Sequence, residues 1–296
     1  MNKEEWLERR KKFITSTEVA ALLGLSEWES PFALWHRKRG GLSVEKEESE
    51  AMYFGKKLEK IVAEAVAEEM EVVVSLDNEF RTMGYIGASY DYTIDEEGHE
   101  IPLEIKTVDK WVFKEKFLVQ GDVVLEMPYT YELQVQAQLL LHESDKSYVA
   151  ILVGGNKLYI TTRYSDKVIQ KRIMEKAEEF WESTEPPPVD HARDLETLAL
   201  IYGDVNEEAF HSNELIDGYA QKYNEAAKAE KEAAIKKRTA KAKILELMGT
   251  ASKVLGDGYT ISRKVVPSAK ISYTRKEYMS FFVRFKKKRE QDDEDL

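Results

Sequence analysis

The apolar pattern changes period once in the middle of the chain, and that change decides what the chain can fold into. Phe54, Leu58, Ile61, Val62, Ala65 and Val66 recur at helical spacing, which predicts a long amphipathic helix over 47–70. Directly after it the spacing becomes strand-like, predicting strands at 72–74, 79–81, 85–89, 92–94 and 101–108, with Asp95-Glu96-Glu97-Gly98 as a turn. Pro128 opens a helix through about Leu141. Strands at 147–153 and 157–163 form a hairpin around Gly154-Gly155-Asn156, and Asp166 caps a helix ending near Trp181. The expectation is an α/β core, a mixed central sheet flanked by helices.

The flanks read differently. Residues 1–45 hold short helices: Thr15 and Glu18 have capping-box spacing, and Ser30-Pro31 starts a second helix that Gly40-Gly41 ends. Pro186-Pro187-Pro188 marks a boundary, so the domains are drawn at 1–189 and 190–296. Beyond it, 213–248 is rich in Ala, Lys and Glu without Pro, which predicts a long exposed helix. Ile216, Ala220, Tyr223, Ala227 and Ala234 follow seam spacing, but most are small and Glu230 interrupts them. A small hairpin around Gly256-Asp257-Gly258 and a charged tail (Lys286-Lys287-Lys288-Arg289, then Asp292-Asp293-Glu294-Asp295) complete this extension.

Cysteine is absent, which removes disulfides, thiol nucleophiles and Fe–S clusters together and fits a reducing cytoplasm. No P-loop pattern is present, so ATP is not expected, and His36, His99, His142, His191 and His211 lack ligand spacing. No apolar run is long enough to span a bilayer, and Met-Asn-Lys-Glu-Glu-Trp has no apolar signal region. With 44 Lys+Arg against 55 Asp+Glu, the net charge is −11, so any nucleic-acid contact must rest on a local basic track such as Arg9-Arg10-Lys11-Lys12.

The chemistry concentrates at Asp91 and at Leu103-Glu104-Ile105-Lys106. Strand alternation places Glu104 and Lys106 on one face, and an antiparallel hairpin brings Asp91 beside Glu104. Two carboxylates and an ammonium make a site for a hard cation such as Mg²⁺ or Mn²⁺; a cross-strand salt bridge has the same residues. Gly55 and Glu59 share a face of the long helix, so a close backbone approach at Gly55 would let Glu59 add a third carboxylate; a packing Gly and a solvated Glu is the alternative. Gln134 and Gln138 line one face of the 128–141 helix with Tyr131, as buried amides that need partners or as a surface stripe. Hydroxyls at Thr15, Ser16 and Thr17 beside Arg9-Arg10 suit an anion, or simply a helix cap.

The ordered motifs Phe54-Gly55-Lys56-Lys57-Leu58-Glu59, Ile86-Gly87-Ala88-Ser89-Tyr90-Asp91, Leu103-Glu104-Ile105-Lys106-Thr107 and Tyr131-Glu132-Leu133-Gln134-Val135-Gln136 resemble those of the YqaJ-like viral recombinase family. That family is the phage lambda-type exonuclease branch of the PD-(D/E)xK nucleases. Trp6, Arg9-Arg10, Ile14-Thr15-Ser16-Thr17-Glu18 and Ser30-Pro31-Phe32-Ala33-Leu34-Trp35 resemble its opening, and Phe180-Trp181 its close, so the likeness covers roughly 1–190. Two positions depart from the pattern: Tyr90 stands where the motif name has Pro, and Thr17 where the lambda member has a serine.

The resemblance implies a restriction-endonuclease-like core and a metal-dependent exonuclease that resects linear double-stranded DNA 5′ to 3′. It would leave 3′ overhangs for a single-strand annealing partner, and would work as a homo-oligomeric ring. Asp91, Glu104 and the backbone carbonyl of Ile105 would hold Mg²⁺, with Glu59 supporting through water. Lys106 would steady the attacking water and Gln134 the water or scissile strand. Arg10, Thr17 or Ser16, and Ser89 would contact the DNA and its 5′ phosphate. The alternative class is a DNA-end-binding or scaffold protein with a vestigial centre.

Overall fold

The computed structural model describes residues 3–42, 48–77, 79–142, 144–204, 209 and 211–268, so the charged tail lies outside the described residues. The chain divides into two compact units, Met1–Tyr202 and Gly203–Leu296. The first unit runs past the proline boundary because Asp194, 1% exposed, accepts the Ser30 hydroxyl, and Arg193 donates to the Ser26 carbonyl.

In the first unit the elements follow as α1 (Lys3–Lys11), β1 (Ile14–Thr15), a 3-10 turn (Ser16–Glu18), α2 (Val19–Leu22), α3 (Pro31–Lys38) and α4 (Glu50–Met70). Then come β2 (Val73–Leu76), β3 (Phe80–Met83), β4 (Ile86–Ser89), β5 (Tyr92–Glu96), β6 (His99–Val108), α5 (Lys110–Lys116), β7 (Leu118–Gln120) and β8 (Val123–Glu126). The series ends with α6 (Tyr129–Leu141), β9 (Lys146–Val153), β10 (Lys157–Tyr164), α7 (Lys167–Glu182) and α8 (Leu195–Ile201). Several starts are the expected caps: Ser30 accepts from the Ala33 N–H, with Pro31 in the first turn, and Asp166 accepts from Val168 and Ile169.

The main sheet has the order β10-β9-β6-β5-β2, with β6 and β9 parallel and the other pairs antiparallel. It is the mixed sheet expected of the sequence. Helix α4 buries Val62, Ala63 and Val66 against Ile94, Leu103, Ile105 and Ala150 on one face. Val135 and Leu139 of α6 cover Val149, Ile151 and Val153 on the other, with Phe113 of α5 and Val124 of β8 completing that layer. Phe54 and Ile61, placed in the apolar stripe of α4 by period alone, are both 58% exposed. They flank the row Val62, Ala63, Val66 that faces the sheet.

A second sheet, β1-β4-β3, was not expected in full. Ile14 and Thr15 form a two-residue strand that runs parallel to Ile86 and Gly87. Gly87 is required there: a Cβ would fall 2.4 Å from Phe80 Cζ and 3.2 Å from Phe13 Cβ. The chain passes from this sheet into the main one through only Tyr90 and Asp91, between β4 and β5.

In the second unit, α9 (Glu214–Met248) starts at Asn213, whose side chain accepts from the Ile216 N–H, and β11 (Lys253–Gly256) pairs with β12 (Tyr259–Ser262) as a hairpin. Ile216 and Tyr223 of the weak seam are exposed within this unit. Among the described residues no helix is long and apolar enough to cross a membrane.

Candidate active site

Strand β6 alternates as its sequence requires. Leu103 and Ile105 face α4, and Glu104 and Lys106 face α6. Tyr92 of β5 pairs with Leu103, so Asp91, one residue earlier, comes level with Glu104, and its Oδ2 accepts the Ile105 N–H at 2.9 Å. The two acids are thus juxtaposed by local register alone.

Glu104 is 3% exposed, and both its oxygens are held. Oε1 accepts from Lys106 Nζ and, at 2.6 Å, from Gln134 Nε2; Oε2 accepts from Gln138 Nε2 at 2.6 Å. Gln134 Oε1 in turn accepts from Lys106 Nζ at 3.0 Å, and Lys106 lies 5.1 Å over the Tyr131 ring. Tyr131, Gln134 and Gln138 recur at i, i+3, i+7 on α6, so one helical face supplies both amides and the aromatic ring. The amide stripe is therefore buried in the site and is not a surface stripe.

Burial, reinforced by Glu104, pushes the Asp91 carboxyl up to about 8, against the pull of Lys106 and the Ile105 N–H. Burial and Glu104 also raise the Glu59 carboxyl, which comes from α4 and is half-buried. At Gly55, one turn before Glu59, a Cβ would meet only Thr107 Oγ1, at an ordinary 3.4 Å, so the close backbone approach expected from a glycine there is not seen. Among the described residues no three carboxylate or imidazole groups stand at ligand spacing, so Glu59 does not complete a closed cluster with Asp91 and Glu104. What remains is an open pair of carboxylates, Glu104 buried and Asp91 half-buried, short of positive charge. That donor set fits a magnesium-like cation, which is held by one or two carboxylates and keeps several waters.

A second cluster forms where β1 leads into the 3-10 turn. Arg10 Nη2 donates to Thr15 Oγ1 at 3.5 Å, and Thr15 Oγ1 lies 3.2 Å from Thr17 Oγ1. Thr15 and Ser16 are buried and Thr17 is exposed, so of the three hydroxyl residues Thr17 faces solvent and Ser16 does not. Burial lowers the Arg10 pKa, with Glu18 opposing and Arg37 assisting. Arg9, Lys11 and Lys12 are exposed around it. Ser89 is half-buried at the end of β4, and its carbonyl accepts from Gln138 Nε2 at 3.1 Å.

Sequence reading missed what holds this cluster up. Lys38 Nζ donates to the carbonyls of Arg10 (2.9 Å) and Phe13 (2.8 Å) and pairs with Glu18 Oε2 at 2.8 Å, which uses all three ammonium donors. Arg37 bridges Glu18 at 2.9 Å and grips both oxygens of Glu29 at 2.8 Å. The Glu18 side chain also accepts the Thr15 N–H at 2.8 Å, which is the half of the capping box that the Thr15–Glu18 spacing suggested. The Arg37–Glu18 pair spans 19 positions, and no local spacing rule reaches that far.

Residues 5–145 match the family model of the YqaJ-like viral recombinase domain. This part of the chain is similar to a YqaJ-like domain. It includes Asp91, Glu104, Lys106 and Gln134 as well as the Arg10–Thr17 cluster. A relative named uncharacterized protein YqaJ, from Bacillus subtilis (strain 168), is 34% identical over 193 residues, 61% of this chain and 56% of that protein. The chain therefore spans little more than half the length of that relative. Among solved structures, the alkaline exonuclease LHK-Exo from Laribacter hongkongensis is similar at 18% identity and a TM-score of 0.47, covering 60% of this chain and 91% of that one. A phage-related exonuclease from Haemophilus somnus 129PT is 11% identical, with a TM-score of 0.42 over 57% of this chain and 91% of its own.

Proposed function

We propose that the chain is a divalent-cation-dependent exodeoxyribonuclease acting on the ends of linear double-stranded DNA. The observation that carries this reading is the hold on Glu104: an ammonium and two amides fix one carboxylate level with a second, Asp91, inside the part similar to a YqaJ-like domain.

A cation held by Asp91, Glu104 and the Ile105 carbonyl, with Glu59 nearby, would supply Lewis acidity at the phosphodiester and a more acidic attacking water. The side chains contribute the rest. Lys106 spends two donors on Glu104 and Gln134, which leaves its third for a phosphate oxygen or the attacking water. Gln134 fixes both Lys106 and Glu104, so it sets the direction of that third donor. Arg10 with Thr17 offers a guanidinium and an exposed hydroxyl to the 5′ phosphate of the DNA end, with Arg9, Lys11 and Lys12 as the basic approach. The finer reading follows the family resemblance: 5′ to 3′ resection to 3′ overhangs, a ring of like subunits, a single-strand annealing partner and a cytoplasmic setting.

The test is digestion of linear duplex labelled at the 5′ or the 3′ end, with Mg²⁺ or with EDTA, beside a circular control. Mg²⁺-dependent loss of linear but not circular DNA is expected, with 5′ label released first. Tight end binding with intact DNA under all conditions would leave a scaffold protein with a vestigial centre.

A further inference from the structure

Helix α6 buries three glutamines, Gln134, Gln136 and Gln138, and the structure satisfies the last two differently. Gln136 is complete: Nε2 donates to the Tyr164 carbonyl at 2.8 Å, and Oε1 accepts the Asp166 N–H at 2.8 Å, tying α6 to the entry of α7. Gln138 is 1% exposed, and its Nε2 donates both to Glu104 Oε2 (2.6 Å) and to the Ser89 carbonyl (3.1 Å). Its Oε1 is buried without a partner. Turning the amide over would set that oxygen against a carboxylate and a carbonyl, so the orientation is dictated by the two acceptors. A buried carbonyl without a donor is destabilising, and Leu133, Val135 and Leu139 show that the same helix is otherwise lined by aliphatics. The position therefore carries a cost on one end of the amide for what the other end does.

That end joins the two acid-bearing segments. Ser89 closes β4 two residues before Asp91, and Glu104 lies in β6 of the other sheet. Lys106 and Gln134 hold only Glu104 Oε1, so without Gln138 the carboxylate is free to rotate about its last side-chain bond, and the end of β4 at Ser89 loses its side-chain link to it. We infer that Gln138 is a positioning residue of the hydrolytic site, which fixes the rotation of Glu104 and links it to the end of β4 through one bifurcated amide. The inference rests on the nuclease reading, and it concerns the metal-holding geometry more than contact with DNA.

The experiment compares Gln138→Met, which keeps volume but not the donors, with Gln136→Met on the same helix. Mn²⁺ affinity of the DNA-free protein is followed by the electron paramagnetic resonance of free Mn²⁺, and kcat, duplex KM and Tm are measured beside it. Gln138→Met should weaken Mn²⁺ binding about 10–100-fold, the range for partners that orient metal ligands, and lower kcat with KM within about twofold. Gln136→Met should lower Tm while Mn²⁺ affinity and kcat stay at wild-type values. Gln138→Asn, which withdraws the amide by one methylene, is the second variant should Gln138→Met not fold, and the same direction is expected. Wild-type Mn²⁺ affinity and kcat in a folded Gln138 variant overturn the inference. Wild-type protein that binds Mn²⁺ but leaves duplex intact defeats the nuclease reading instead, with the Mn²⁺ comparison still deciding Gln138; failure to bind Mn²⁺ at all defeats both.

Discussion

Replacing Glu18 by Gln removes one negative charge from beneath the Arg10–Thr17 cluster while keeping the size of the side chain. Its carboxylate serves three donors: the Thr15 N–H, Arg37 Nη1 and Lys38 Nζ. A glutamine can accept on one side only, so its amide hydrogens must face either Arg37 or Lys38. Removing one partner of a buried pair costs about 3–5 kcal/mol. The cost here is lower, about 2–3 kcal/mol. Glu18 and Arg37 are 12% and 24% exposed, Arg37 keeps Glu29, and Lys38 keeps two carbonyls. Burial alone would raise the Glu18 carboxyl, but Lys38 and Arg37, with the bonds from Lys38 and Thr15, outweigh it and hold it below its ordinary 4.5. A depressed carboxyl contributes stability that is complete above about pH 4.5 and is lost as pH falls through the lower folded-state value. Wild type should therefore exceed Glu18→Gln by a constant amount from pH 7 to about 5.5, and the gap should close below about 4.5. Urea unfolding followed by tryptophan fluorescence reads this cleanly, because all 5 tryptophans lie in the Met1–Tyr202 unit. A gap below about 0.5 kcal/mol at pH 7, or one unchanged at pH 3, would refute the account, since the effect would then be of surface-pair size.

Other consequences are as direct. Asp91→Asn and Glu104→Gln should each abolish Mg²⁺-dependent cleavage of labelled duplex with the circular dichroism spectrum retained; full activity in either sinks the assigned roles. Arg10→Ala should bring the rate ratio between 5′-phosphorylated and 5′-hydroxyl ends towards unity, and an unchanged ratio rejects the phosphate contact. Gly87→Ala should cost about 1–3 kcal/mol by overpacking against Phe80, and Phe80→Leu in the same chain should recover part of it. Two additive losses in that pair would mean the clash is not what Gly87 avoids.

The readable parts of the fold are those whose determinants are local. The period switch located α4, β5, β6 and the β9–β10 hairpin, because helix and strand burial repeat at different intervals. The facing of Asp91 and Glu104 followed from a tight hairpin whose register needs no distant information. Gln134 stood out because an amide amid Leu133, Val135 and Ala137 must find a partner. By contrast, β1 is two residues long, and nothing in Ile14-Thr15 names β4 as its neighbour. The segment with α5, β7 and β8 has no strong alternation, so its sequence predicts no elements there. Lys38 reads as the end of a helix, and its three acceptors converge only when α1, the 3-10 turn and α3 are packed. Gln136 and Gln138 are alike in sequence and differ only in which neighbours tertiary packing brings.

The splice between the two sheets has a metric consequence. The guanidinium–hydroxyl cluster surrounds β1 of the small sheet, with Arg10 at the end of α1 and Thr17 in the 3-10 turn, while Glu104 and Lys106 belong to the large one. Only Tyr90 and Asp91 separate β4 from β5, and Tyr90 is anchored at both ends, its hydroxyl on the Gln138 carbonyl at 2.8 Å and its ring 4.7 Å from the Arg81 guanidinium. On the nuclease reading, the span between the phosphate that marks a DNA end and the bond that is cut is gauged by this two-residue joint. The enzyme would carry its own ruler, and an insertion at Tyr90 would change the length of each bite before it changed the chemistry.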